Sequence, residues 1–222
     1  MTTRCDWFPA LPAQALTVAN TVVAASVCGQ DLALWRSASG SVQAWEDRCP
    51  HRGVALSLGR VLGDRLACAY HGWEYAAGDG RCVAIPAMPH QPVPGKVCVK
   101  TFAAAECQGM VWVAPAENPP AVPPPVAATD TTPHFLRSIA IAVPWAMVEA
   151  ALAAHDFTPA GPCQWRGAWA GHDRLLLWTL DASADWCLLH VASAAPPPQA
   201  QLPGLFGALR HLRERLQIAA GT

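Results

Sequence analysis

The chain has 222 residues, a formal net charge of −1 and only 14% charged residues. This balance excludes the basic surface that nucleic-acid binding needs, and no apolar run reaches the roughly 20 residues of a membrane-spanning helix. The first residues lack the apolar core of a signal peptide, and the nine cysteines show no second metal spacing beyond the one described below. We therefore expect a cytoplasmic protein whose remaining thiols are reduced.

Short strands separated by glycine turns fill the first half of the chain. The predicted strands are apolar and rich in β-branched residues, and they cover residues 18–27, 32–36, 42–45, 60–66, 75–83, 97–101 and 110–113. The fourth and fifth of these stretches contain a turn, so each is a hairpin. The succession predicts a small all-β domain over residues 1–115.

Two cysteine–histidine pairs lie within this domain. Cys49 and His51 are separated by one residue, Cys68 and His71 by two, and sixteen residues lie between the pairs. A [2Fe–2S] cluster normally takes four thiolates, and two neutral imidazoles on one iron raise its reduction potential to about −150 to +300 mV. The pairs predict such a cluster, with both cysteines on one iron and both histidines on the other.

A zinc ion is the alternative occupant, because zinc also binds two cysteines and two histidines. Zinc does not explain the flanking residues Arg52, Gly53, Gly72 and Trp73. A glycine after each histidine lets the backbone approach a cluster and donate N–H groups to sulfur. The flanking residues therefore favour the cluster.

The stretch from Cys49 to Trp73 resembles the motif of the Rieske non-haem iron oxygenases, which runs CPHRG followed by C.YHGW. The resemblance implies a Rieske-type all-β domain that holds the cluster through the two cysteine–histidine pairs. It also implies a proline-containing loop, here Ile85-Pro86, that shields the cluster from water. Rieske proteins of respiratory complexes have a disulfide between the two loops, but Val54 and Tyr70 stand at those positions here. The resemblance is thus to the oxygenase and ferredoxin branch.

A different organisation follows this domain. Residues 116–133 are dense in proline, which favours an extended linker. The elements predicted beyond it are a strand at 135–143, a helix at 145–156, strands at 164–170, 174–180 and 186–192, and a last helix with Leu205, Leu209, Leu212 and Leu216 on one face. The predicted fold is therefore mainly β with an α+β C-terminal part. The resemblance implies that residues 134–222 form a truncated helix-grip-like domain.

The resemblance fails at the second metal site. Members of the family bind a mononuclear iron there through two histidines and a carboxylate, on a helix with the pattern NxxDxxHxxxxH. With His155 as the first histidine, Glu149 stands at the Asn position, Leu152 at the Asp position and Ala160 at the second His position. One imidazole does not hold Fe(II) tightly, so His155 is at most a residual ligand and no mononuclear Fe(II) is expected.

An intact cluster motif without iron ligands predicts a redox component of an oxygenase system. Electrons would come from a ferredoxin or flavin reductase and go to a mononuclear iron on a paralogous oxygenase subunit in a hetero-oligomer. The alternative is a complete small Rieske oxygenase, a hydroxylase or demethylase, with an atypical iron site that includes His155. A third interpretation is a structural or regulatory subunit in which the cluster senses redox state. Whether the chain is itself an enzyme stays open among these.

Overall fold

The computed structural model of the protein describes residues 6–17, 21–93, 95–116 and 132–221. Antiparallel strands dominate these segments, and both α-helices found in them lie in the C-terminal part. The predicted fold class, mainly β with an α+β C-terminal part, is confirmed. No helix in the described segments is both long enough and apolar enough to cross a membrane.

The first half contains a six-stranded sheet in the order β1-β10-β9-β4-β3-β2 and a four-stranded sheet in the order β5-β6-β7-β8. Their strands are β1 (Phe8–Pro12), β2 (Val22–Val27), β3 (Gln30–Arg36), β4 (Val42–Glu46), β5 (Arg60–Val61), β6 (Arg65–Ala67), β7 (Glu74–Ala76), β8 (Cys82–Ala84), β9 (Thr101–Cys107) and β10 (Met110–Ala114). All neighbouring strands are antiparallel, as hairpin connections require.

An apolar layer between these two sheets supports the loops that carry the cysteine–histidine pairs. Trp35 and Trp45, on adjacent strands β3 and β4, are fully buried and meet edge to face with ring centroids 4.9 Å apart. Both tryptophans belong to the same buried cluster as Cys49, Cys68 and Tyr75. Because the cysteines are part of this packed layer, their positions are fixed by the core.

The C-terminal part is a five-stranded antiparallel sheet with helices packed on one face. Its elements are β11 (His134–Ile141), α1 (Trp145–Ala154), β12 (Thr158–Gly161), β13 (Gln164–Trp169), β14 (His172–Ser183), β15 (Trp186–Ser193) and α2 (Leu202–Ala220). The sheet order is β11-β15-β14-β13-β12. Leu205 and Leu209 of α2 and Val148 and Leu152 of α1 are buried against Leu177 and its neighbours on the sheet. A sheet that packs against a long C-terminal helix agrees with the expected helix-grip-like arrangement.

The two halves share buried surface. Trp112 of β10 and Trp178 of β14 are in one apolar cluster, and both are almost fully buried. The backbone N–H of Cys28 donates a hydrogen bond to the carbonyl oxygen of Asp181 over 2.8 Å. The predicted divisions at 1–115, 116–133 and 134–222 stay a prediction, since residues 117–131 of the linker lie outside the described part.

Several local predictions differ from the structure, and strand β1 (Phe8–Pro12) is not predicted. The strand predicted at 97–101 is wrong, because the backbone there bonds to the loop around Gly80 (Val99 N to Gly80 O, 2.9 Å) and β9 begins only at Thr101. Strand β12 is not predicted, because it contains Pro159 and proline is a poor strand former. The strand forms because it pairs with β13. The strand predicted at 18–27 begins at Val22, and residues 18–20 lie outside the described part.

The cysteines agree only partly with the expectation of reduced thiols. The described cysteines that are not disulfide-bonded are Cys28, Cys49, Cys68, Cys82, Cys98, Cys107 and Cys187. Cys163 is disulfide-bonded, so the expectation is wrong for this residue. Since disulfides are rare in reducing compartments, the cysteines no longer argue for a cytoplasmic location, which stays a prediction.

Candidate metal centre

The two loops that carry the cysteine–histidine pairs have the same backbone hydrogen bonds. The Cys49 N–H donates to the Val54 carbonyl over 2.8 Å, and the Gly53 N–H donates back to the Cys49 carbonyl over 2.8 Å. In the second loop the Cys68 N–H donates to Trp73 and the Gly72 N–H to Cys68, over 2.9 and 3.0 Å. Each loop is therefore a tight turn that closes on its own cysteine.

The loops bury the two cysteine sulfurs in the protein core and leave the two imidazoles at the surface. Cys49 and Cys68 are 2% and 5% exposed, and burial, together with the neighbouring Cys49 thiol, raises the pKa of Cys68. His51 is partly exposed and His71 exposed, with ring centroids 4.8 Å apart. All four predicted ligands thus meet at one end of the small sheet, as a sulfur pair and an imidazole pair.

Aromatic rings hold both imidazoles. The Trp73 ring is stacked on His51 with centroids 4.1 Å apart and an interplanar angle of 8°. The Tyr70 ring lies against His71 at 3.8 Å. Desolvation, together with the nearby His71 and Arg52, lowers the pKa of His51. A lowered pKa favours the neutral imidazole, which is the form that binds a metal.

Tyr75 adds a contact that the sequence did not reveal. Its hydroxyl lies 3.1 Å from the Cys49 sulfur. Burial, followed by the hydrogen bond with Cys49, raises the pKa of the Tyr75 phenol, so the phenol stays protonated and can donate to a thiolate. No local pattern reveals this contact, because 26 residues separate Tyr75 from Cys49.

Pro86 covers the second loop. A Cβ added to Gly72, which has a φ of +70°, would lie 3.1 Å from the Pro86 Cγ atom. The ring therefore packs directly on the backbone beside His71. This is the location expected for a proline loop that keeps water from a cluster.

The donor set fits a two-iron cluster. In such a cluster each iron needs only two protein ligands, because bridging sulfides supply the others. Here the two cysteine sulfurs form one pair of donors and the two histidine nitrogens form the other. Zinc would instead gather all four donors around one point, whereas here the thiols are buried and the imidazoles lie on the exposed side.

His155, considered above as a residual iron ligand, is bonded to other side chains. The guanidinium of Arg215 donates to Nε2 of His155 over 3.0 Å, and the imidazole stacks on Trp169 at 5.0 Å. Leu152 is fully buried and cannot act as a ligand. The other nearby histidine, His172, is buried with its Nε2 3.4 Å from the Gln201 carbonyl oxygen.

Comparisons with known proteins agree with this geometry. The family model described as Rieske [2Fe-2S] domain matches residues 6–103. The oxidoreductase NdmD of Pseudomonas putida is 44% identical over 114 residues, which are 51% of this chain and 19% of NdmD. The 3-chlorobenzoate-3,4-dioxygenase oxygenase subunit of Comamonas testosteroni is 39% identical over 108 residues, or 48% of this chain and 25% of that protein. The matches thus cover a quarter or less of these relatives.

Solved structures share the fold over most of the chain. NdmB of Pseudomonas putida CBB5 has a TM-score of 0.69 at 18% identity, over 95% of this chain and 81% of that one. Apo dicamba monooxygenase has a TM-score of 0.68 at 18% identity, over 99% and 85% of the two chains. The matched domain implies a [2Fe–2S] cofactor. The chain therefore contains a Rieske [2Fe–2S] domain at residues 6–103, and it shares its overall fold with NdmB and dicamba monooxygenase.

Proposed function

We propose that the chain is an electron-transfer subunit of a Rieske-type oxygenase system. It receives electrons from a ferredoxin or flavin reductase and passes them to a mononuclear iron on a partner subunit. The observation that carries this proposal is a contrast between two sites. The two cysteines and two histidines of the first half converge, whereas His155 is bonded to Arg215.

Within this proposal the cluster is held by Cys49 and Cys68 on one iron and by His51 and His71 on the other. One-electron transfer is the chemistry that the cluster supplies when it is bound. The protein buries the two thiols and exposes the imidazoles. Electrons would therefore enter and leave on the histidine side, where a partner can approach.

Exposed apolar side chains on and after these loops support a protein partner there. Tyr70, in contact with His71, is 61% exposed, and Leu58, in the short helical turn Leu56–Leu58 that follows the first loop, is 69% exposed. Large apolar side chains exposed around a functional group are typical of surfaces that other proteins cover. Docking on this side would also remove water from the imidazoles.

The environment of His155 supports the assignment of the oxygenation site to another polypeptide. The Nε2 lone pair accepts a hydrogen bond from Arg215, so it is not available to a metal. The guanidinium charge would also repel Fe(II) at this short range. Leu152 has no donor atom at the position where the family has a carboxylate.

A complete small oxygenase remains the second candidate because a cleft opens beside His155. The cleft has a volume of about 440 Å³, and Asp156 and Asp173 line it. Arg166 and Arg174 line it as well, and these guanidinium groups are natural partners for the two carboxylates. This charge balance favours the electron-transfer assignment over a second iron site.

Iron analysis of the purified chain tests the proposal. We expect about two irons and two acid-labile sulfides per chain, fast reduction by a ferredoxin or flavin reductase, and no product from aromatic or N-methylated substrates. The variant His155→Ala should keep the iron content and visible spectrum, while Cys68→Ser should lose both. A third iron accompanied by turnover that His155→Ala abolishes would establish the complete oxygenase instead. Reduction too slow to support turnover of a partner would point to a redox-sensing subunit.

A further inference from the structure

A groove runs along β11, which is an edge strand of the five-stranded sheet. It consists of two adjoining clefts of about 540 and 320 Å³ that share Ala140 and Arg213. Residues 137–140 line the smaller cleft opposite Phe206 of α2. Successive side chains of a strand point to opposite faces, so a lining of four consecutive residues follows the backbone edge of the strand. We call these two clefts the edge groove.

The backbone along this groove has no strand partner among the described residues. There β11 pairs only with β15, which leaves outward-facing N–H and C=O groups for another strand. The other end of the sheet is blocked, because β12 has four residues and contains Pro159. By contrast, β11 has eight residues and no proline. Its bulge lies at Phe135–Arg137 and leaves Ser138–Ile141 regular.

The charge of the groove is positive. The charged residues that line it are Arg137, Arg210, Arg213 and Glu214. The Arg137 guanidinium lies 5.1 Å from the centroid of the Phe206 ring, which holds it beside the strand. Ile218, which is 77% exposed, adds an apolar contact at the end of the larger cleft. Arg210 forms an ion pair with Glu214 over 3.9 Å, and the net charge of +2 that remains along the lining favours an acidic occupant.

We propose that the edge groove binds an extended acidic segment of a partner protein, which adds to β11 as a further strand. Backbone hydrogen bonds to the strand edge provide affinity, and carboxylates at alternate positions pair with the arginines. A second copy of the chain fits less well, because the groove of each copy carries a net positive charge and two such surfaces repel each other. The proline-rich residues 119–125 are also poor competitors, since proline lacks the N–H that pairing uses.

The binding site does not depend on the electron-transfer function. The groove lies on the C-terminal part, whereas the four cluster ligands lie on loops of the first half. Loss of groove binding would therefore leave the cluster and its reduction unchanged. Failure of either proposal can be recognised without reference to the other.

The experiment uses the full chain with its cluster and a fluorescein-labelled peptide of about nine residues that alternates Glu and Val. Fluorescence anisotropy is measured at low ionic strength, where charge pairing is least screened. We expect saturable binding and a Kd that rises about tenfold or more in Arg137→Glu and in Arg210→Glu. Both residues are exposed, so the folded state should tolerate the change. The control Arg81→Glu alters an arginine that is also exposed, with 58% of its side chain accessible, and should leave the Kd unchanged.

A second peptide separates strand addition from simple charge attraction. It has the same sequence, with N-methyl groups on the alternate residues whose N–H would face β11, and we expect it to bind about tenfold more weakly or worse. Equal affinity of the two peptides would overturn strand addition. An unchanged Kd in both arginine variants, or no saturable binding to the wild-type chain, would overturn the acidic occupant. Dimerisation that the peptide does not reverse would assign the groove to a second copy and also overturn the proposal.

Discussion

The Nη2 atom of Arg215 lies 3.0 Å from Nε2 of His155, so this imidazole nitrogen accepts a hydrogen bond from a cation. Trp169 stacks on the same ring at 5.0 Å. These contacts connect the end of α1 to α2 and to the sheet. The histidine that the sequence analysis considered as a residual iron ligand is thus part of the packing between the helices.

Substitution of Arg215 tests this interpretation. Arg215→Ala frees Nε2 of His155, yet we expect no additional bound iron after incubation with Fe(II), because Leu152 and Ala160 supply no second ligand. The loss of one exposed hydrogen bond should lower the free energy of unfolding by about 0.5–1.5 kcal/mol. Anaerobic iron titration and chemical denaturation measure the two quantities. Arg210→Ala on the same helix is the control, and extra iron bound only by Arg215→Ala would show that a latent site exists.

The hydroxyl of Tyr75 gives a second prediction. A hydrogen bond to the Cys49 sulfur stabilises the more negative, reduced state of a bound cluster, so Tyr75→Phe should lower the reduction potential. A net bond of about 1 kcal/mol corresponds to roughly 40 mV for a one-electron couple. Protein-film voltammetry or a dye-linked titration measures the shift.

Tyr70→Phe is the matched control for Tyr75→Phe, because Tyr70 touches His71 through its ring and is exposed. Its potential should stay within about 10 mV of the wild type, since no hydrogen bond to sulfur is lost. Equal shifts in the two variants would show that the hydroxyl of Tyr75 does not act on the cluster.

Features that depend on short stretches of sequence were predicted better than contacts between residues distant in the chain. The ligand loops are short and glycine-rich, so the sequence indicates both the donors and the turns that carry them. The Tyr75–Cys49 contact spans 26 residues and the His155–Arg215 contact spans 60, and neither leaves a pattern in the chain. Strand β12 contains Pro159 and exists because β13 pairs with it. Such features depend on tertiary packing, which local periodicity does not encode.

Gly72 gives a third prediction, about the loop beside His71. Gly72→Ala places a Cβ 3.1 Å from the Pro86 Cγ atom and forces a φ of +70° on alanine. The backbone strain alone should cost about 1 kcal/mol, and displacement of Pro86 should admit water to the cluster. We expect lower stability together with faster bleaching of the visible spectrum in air.

Gly63→Ala, in the turn between β5 and β6, is the control for the backbone strain of Gly72→Ala. Gly63 has a φ of +64° but no atom within 4 Å of an added Cβ. The Gly63→Ala variant should therefore lose the same stability through backbone strain but bleach at the wild-type rate. If both variants bleach at the same rate, Pro86 does not protect the cluster.

Buried His190 gives the last prediction, a dependence of stability on pH. Its Nε2–H donates to the Pro9 carbonyl oxygen over 3.0 Å, and its Nδ1 accepts from the Ser138 hydroxyl over 2.7 Å. Burial lowers the pKa of His190 to about 4, whereas an unfolded histidine titrates near 6.5. Between these values the unfolded chain binds more protons, so the contribution is complete above pH 6.5 and is lost as the pH falls towards 4. The full loss is about 3 kcal/mol.

Urea denaturation of wild type and His190→Gln at several pH values isolates this contribution, because other groups titrate equally in both. The difference between the two proteins should shrink by about that amount from pH 7 to pH 4, and a constant difference would show that His190 does not titrate as a buried neutral imidazole.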